Sequence, residues 1–159
     1  MSLEKACSVI RLADASLARE ACGVVRRSIT HCCTLDHRND PAVLDAWLAN
    51  KTPDTVARWM TSPGAMAWGA FYNGEIVGFA LVAGGSLALC YLVPEVLHQG
   101  VGRVLLLAAE AGARETGLDA LVLESTRTAE AFYRRQGYEP SATVQSWKGL
   151  QAQPMRKRL

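Results

Sequence analysis

LHQGVGRVLLLAAEAG (residues 97–112) follows the apolar run ALCYLVPEV (88–96), and its reading decides the fold. Gly100 and Gly102 carry no Cβ, so the backbone there can turn sharply and let a ligand approach its N–H groups. Beyond them, Val101, Val104, Leu105, Ala108, Ala111 and Gly112 recur at helical spacing and predict one apolar helix face ending near Thr116-Gly117. A helix that begins on such a turn presents unsatisfied N–H groups and the positive end of its dipole to whatever lies above it. The fitting guest is an anion, above all a phosphate.

Working outward, DALVLES (119–125) is a short, continuous apolar run and reads as a strand buried on both faces. Strand, helix and strand in this order predict a right-handed crossover between parallel strands. Upstream, AMAWGAFY (65–72) and EIVGFALVA (75–83) flank Asn73-Gly74, a strong hairpin signal because both central turn positions favour φ > 0. Gly84-Gly85-Ser86 predicts a second reversal into LALCYLV (87–93). Residues 6–12 read as a first strand. Asp14 is placed to cap a helix over about 15–28, and Asp40-Pro41 and Thr52-Pro53 each predict the start of a short helix. Downstream, Thr126 or Thr128 starts a helix through AEAFYRRQ (129–136), Gly137 stops it, and ATVQSWKG (142–149) with QPMRKRL (153–159) forms a terminal hairpin. The expected architecture is one mixed α/β domain over residues 1–159, with antiparallel N-terminal strands, a parallel crossover and a C-terminal hairpin.

Composition narrows the function. Of 159 residues, half are hydrophobic and a fifth charged, and 17 basic against 15 acidic residues leave a formal charge of +2. No strong field toward nucleic acid follows, and no apolar run approaches the ~20 residues of a membrane-spanning helix. Neither a nucleic-acid nor a membrane partner is expected, and the expected location is cytoplasmic. Five cysteines without an export signal read as reduced thiols. The cluster His31-Cys32-Cys33 with Asp36-His37 has no metal-ligand spacing, so no metal is expected.

Three classes of phosphate binder remain. A P-loop is excluded because no lysine follows the glycines, and the dinucleotide fingerprint lacks its third glycine where Leu105 stands, although Glu124 imitates the ribose-binding acid. The third class fits more of the chain. PEVLHQGVGRVLL (94–106) resembles the acyl-CoA signature of the GNAT superfamily of N-acetyltransferases, and TRTAEAFYRRQGYEP (126–140) resembles its second signature. Leu97 stands where that family usually has Arg or Gln, and Thr126 where it often has Asn. The order of elements is similar along nearly the whole chain; residues 30–64 carry no family-wide motif.

The resemblance implies acetyl-CoA as cosubstrate, its pyrophosphate on the N–H groups of Gln99, Gly100, Val101, Gly102 and Arg103, with Arg134 or Arg135 as further contacts. It implies pantetheine between LALCYLV and ALVLES, a backbone N–H near Leu92 as donor to the thioester oxygen, and Thr126 at the end of the second strand. Direct attack by a primary amine then releases CoA thiolate, which Tyr133 protonates as general acid. An ammonium of pKa ~10.4 is free base about once in 2,500 at pH 7, a penalty near 4.6 kcal/mol, so a proton acceptor is also needed. Glu124, Asp36, His37, Asp40, Cys90, Tyr91 and a water chain all remain open. Trp47 and Trp59 are candidates for the acceptor wall or for the core. The acceptor itself, a small-molecule or peptide amine, is not specified, homodimerisation stays open, and the competing readings are a non-catalytic acyl-CoA-binding module and, behind it, a dinucleotide-binding domain.

Overall fold

The protein is described here by a computed structural model covering residues 3–159. A four-residue helix α1 (Leu3–Ala6) precedes β1 (Ser8–Leu12), α2 (Ala18–Cys32), α3 (Thr34–His37), α4 (Pro41–Leu48) and α5 (Pro53–Met60). Then come β2 (Met66–Tyr72), β3 (Glu75–Ala83), β4 (Ser86–Leu92), a 3-10 turn over Pro94–Val96, α6 (Val101–Glu115) and β5 (Ala120–Ser125). The chain continues through α7 (Glu130–Arg135), β6 (Glu139–Pro140), β7 (Gln145–Trp147) and β8 (Leu150–Arg158). The sheet runs β1-β2-β3-β4-β5-β8-β6, with β7 paired to β8. Neighbours pair antiparallel except β4 and β5, which run parallel as the crossover requires.

Both glycine-rich reversals form as the sequence predicts. Asn73 and Gly74 take φ of 50° and 79°, the left-handed pair that a two-residue hairpin demands, and Gly84 and Gly85 take 59° and 78°. Asp40 accepts a bond from the Ala42 N–H and Thr52 one from the Thr55 N–H, so both proline-led helices are capped.

In β3 the segment Val77–Val82 is buried without interruption because α2 lies over one face and α6 over the other. Gly112 of α6 sits so close to the sheet that a Cβ there would stand 2.3 Å from the Trp68 ring. Gly78 makes room in the same way: a Cβ at that position would lie 2.7 Å from Leu92 Cδ2 and 3.3 Å from Leu105 Cδ2.

Four expectations need correction. β5 is not buried on both faces: Leu121, Leu123 and Ser125 are buried while Val122 and Glu124 are exposed. α2 packs on β3 and β4, and α6 on the opposite face, so the outer face of β5 lies beside α2 rather than beneath it. The helix expected over 15–28 starts and ends later, at Ala18 and Cys32. Asp14 accepts from the Ser16 N–H, which makes a turn that delays the helix, and buried Ile29 extends the apolar stripe beyond Ser28. The first strand begins at Ser8 because Leu3–Ala6 closes a helical turn through Cys7 N–H to Leu3 O. The terminal hairpin is shorter on its first strand, where only Gln145–Trp147 pairs across the Lys148-Gly149 turn.

Candidate active site

β4 and β5 pair through only two residue pairs, Ser86 with Val122 and Leu87 with Leu123, and then diverge. β4 continues to Leu92 on its β3 side, and β5 continues to Ser125 on its β8 side. A wedge opens between them, and a shallow trough of about 500 Å³ begins where the pairing stops, bounded by Ala88, Val122, Glu124 and Pro154. The Val93 N–H donates to Val77 O at 2.9 Å, toward β3. Successive strand residues direct their backbone groups to opposite edges, so the N–H of Leu92 points into the wedge.

The wedge leads to the start of α6. His98 and Gly100 take φ of 59° and 86°, and Gly100 is the N-cap of α6 with no side chain capping it. Val104 is the first residue to bond back across the cap, to Gly100 O at 3.2 Å. The N–H groups of Val101 and Gly102 therefore face outward from a helix end that no side chain closes. Gln99 Nε2 donates to Glu95 O at 3.1 Å, and the Glu95 carboxylate pairs with Arg27 of α2, tying the approach to the turn to the neighbouring helix. Arg103 is exposed on the first turn of α6. This donor set, with its positive helix end and a glycine in the left-handed region, fits a pyrophosphate.

α7 lies against this apparatus. A Cβ on Gly102 would touch the Phe132 ring at 3.5 Å and Leu92 Cδ1 at 3.4 Å, so Phe132 seats α7 on the first turn of α6. Its neighbour Tyr133 is buried, edge-on to Phe132 at 5.3 Å and to Tyr138 at 5.6 Å, with the Cys90 thiol close by. Burial drives the Tyr133 phenol well above its ordinary pKa, and the neighbouring Cys90 and Tyr91 push the same way. The Cys90 thiol is itself pushed up to about 12 by burial. Both groups keep their protons at neutral pH.

The other candidates lie elsewhere. Tyr91 faces the opposite side of the sheet, toward Trp47, Cys33 and Asp36, and burial raises its pKa. Asp36 accepts from the Arg127 N–H at 2.7 Å, the Thr128 N–H at 3.2 Å and the Thr128 hydroxyl at 2.5 Å, clamping α3 to the turn after β5. His37 is fully buried, with Nδ1 accepting from the Asn39 N–H and Nε2 donating to Ile29 O and Thr30 O. These bonds occupy both ring nitrogens. Asp40 serves as the α4 cap. Glu124 is exposed on the face of β5 away from Tyr133. Thr126 uses its hydroxyl to accept from the Ala129 N–H at 3.1 Å and so opens the turn into α7. Arg134 pairs with Glu130 one turn away, and Arg135 is exposed. Trp47 is core, edge-on to His37, and Trp59 is half-buried beneath the Lys51 amine. Among the described residues no group of His, Cys, Asp or Glu side chains is arranged to hold a metal ion.

Sequence reasoning passed over a buried acid on α6. Glu110 accepts from the Tyr138 hydroxyl at 2.8 Å and from Lys157 Nζ at 3.0 and 3.1 Å. Its signal was legible: a carboxylate on the stripe of Leu106, Ala109 and Ala113, which is otherwise apolar.

Comparison with known proteins agrees with this geometry. A family model described as an acetyltransferase (GNAT) domain matches residues 34–159. The chain belongs to the GNAT acetyltransferase family. Among curated proteins it is 30% identical over 103 residues to the uncharacterized N-acetyltransferase YjgM of Escherichia coli, a match covering 58% of this chain and 62% of YjgM. Among solved structures, a GCN5-related N-acetyltransferase from Rhodopseudomonas palustris superposes with a TM-score of 0.83 at 23% identity, over 96% of this chain and 95% of that one. The PaiA N-acetyltransferase of Thermoplasma acidophilum, solved in complex with coenzyme A, gives a TM-score of 0.75 at 20% identity, over 96% and 99%. These likenesses establish the GNAT fold, with its open mixed sheet, for this chain. No helix among the described residues is long and apolar enough to cross a membrane.

Proposed function

We propose that this protein is an N-acetyltransferase that moves an acetyl group from acetyl-CoA to a primary amine. The observation that carries the reading is the wedge between β4 and β5 leading to an uncapped helix N-terminus, against which α7 packs through Phe132 with the buried Tyr133 beside it. Acetyl-CoA supplies the activated acyl group. This chain's own residues bind and orient: the N–H groups of Val101 and Gly102 meet the pyrophosphate, with Gln99, Gly100 and Arg103 shaping the turn around them. The Leu92 N–H donates to a carbonyl oxygen in the wedge, and Tyr133 holds a proton at its hydroxyl for the departing thiolate.

No single side chain emerges as the base. His37 and Asp36 are occupied by structural bonds, and Cys90 and Tyr91 are held protonated, which leaves Glu124, exposed at the trough, and a water chain for taking the amine's proton.

The test is acetylation of an amine panel (n-butylamine, spermidine, lysine and an alanine-ended peptide) by the wild-type protein and by Tyr133→Phe. Wild type should turn over at least one amine, and the variant should lose roughly a hundredfold in kcat with little change in KM for acetyl-CoA. Acetyl-CoA binding without turnover of any amine would favour a non-catalytic acyl-CoA-binding module.

A further inference from the structure

We infer that Glu110 is a positioning residue for Tyr133, acting through Tyr138; this rests on the proposed role of Tyr133 as the proton donor. α7 has only six residues, too few to hold a side chain rigidly by its own helical bonds. Its C-terminal closure supplies what the helix lacks. The chain reverses at Gly137, with φ of 95°, and the Tyr138 N–H donates back to Tyr133 O at 3.0 Å while the Gly137 N–H reaches Arg134 O at 3.1 Å. This is a Schellman closure, in which the residue two beyond the helix also packs on the residue it bonds. Here those two residues are Tyr138 and Tyr133, whose rings meet edge-to-face at 5.6 Å and an interplanar angle of 70°.

Tyr138 is therefore bonded to Tyr133 through the backbone and packed edge-to-face against it through the ring. What fixes Tyr138 in turn is Glu110. Its carboxylate, 2% exposed, accepts the Tyr138 phenol, and Lys157 bonds both carboxylate oxygens while its amine lies 5.7 Å over the Tyr138 ring. The Lys157 stem also covers the turn, 3.5 Å from where a Cβ on Gly137 would stand. α6, which begins at the phosphate turn, thus carries near its far end the anchor that sets the ring of the acid.

Leucine at position 110 would continue the apolar stripe, but it would strip the Lys157 amine and the buried Tyr138 phenol of their shared acceptor, so Tm is read beside the rate. The carboxylate also supplies direction: it pins one phenol so that the ring beneath it has one place to stand.

The experiment compares Glu110→Leu, Glu110→Gln and Tyr138→Phe in the wild-type and Tyr133→Phe backgrounds, measuring kcat and KM for acetyl-CoA with whichever of the four amines above reacts fastest, together with Tm. Glu110→Leu and Tyr138→Phe should each lower kcat about five- to twentyfold with KM within about twofold, because small misplacements of a reacting group are costly. Glu110→Gln keeps an acceptor oxygen for the phenol and should restore most of the rate. In the Tyr133→Phe background the same changes should lower kcat by less than about twofold, since the group they position is gone. An undiminished fall in that background, or an unchanged kcat in a folded Tyr138→Phe protein, overturns the inference while leaving Tyr133 as the acid. A Tyr133→Phe enzyme as active as wild type instead overturns the reading on which it rests, and the inference with it.

Discussion

Tyr133 is defined by what surrounds it. A phenol near its ordinary pKa of about 10 begins to lose its proton in mildly alkaline solution, and then has nothing to donate. Burial moves Tyr133 upward, so its protonated form persists to higher pH. The amine acceptor changes in the opposite sense, gaining reactive free base as pH rises. Activity at sub-saturating amine should therefore climb from pH 7 toward pH 10 without an alkaline fall due to Tyr133; an alkaline limb below pH 10 that disappears in Tyr133→Phe would show the phenol to be an ordinary one. The same residue-level logic separates Asp36 and His37 from the chemistry. Each meets its partners within the fold: three donors converge on the Asp36 carboxylate, and backbone groups take both nitrogens of His37. In the sequence both sit in a polar stretch after a helix and look like available acid–base groups. Only the placement of Arg127 and Thr128, some ninety residues away, reveals the clamp.

At the scale of elements, the site depends on how closely α6 lies on the sheet. Gly112 permits that approach, since a Cβ there would stand 2.3 Å from Trp68 Cζ2 in the middle of β2. Gly112→Ala should lift the helix or displace the ring, costing about 2–3 kcal/mol and lowering Tm by roughly 5–10 °C. An unchanged melting temperature would mean that Trp68 moves freely. The elements that carry the site were legible because their signals are local: a left-handed pair at Asn73-Gly74, proline-led caps at Asp40 and Thr52, and the two glycines at the start of α6. β5 was misread because its apolar run says nothing about which helix reaches it; α2 lies over β3 and β4, and Val122 and Glu124 stay exposed. The start of α2 was misplaced because Asp14 serves a turn rather than the helix. Glu110 was overlooked for a related reason: its partners, Tyr138 and Lys157, come from the C-terminal part of the chain, and only the folded sheet brings them over α6.

For the whole molecule, the account joins two features that neither half of the chain holds alone. The antiparallel strands β2 to β4 end at the glycine turn, and β5 leaves β4 after two residue pairs while it stays paired to β8 on its other edge. The wedge is the consequence, and CoA binding in it is the central claim. The most direct test is a thermal-shift titration with CoA, acetyl-CoA and NAD in parallel. A ligand at a hundred times its Kd stabilises by about 2.7 kcal/mol, enough to raise Tm by several degrees in a chain of this size. The account predicts that rise with both CoA forms and none with NAD. A rise with NAD alone, or no rise with either CoA form at millimolar concentration, would contradict it.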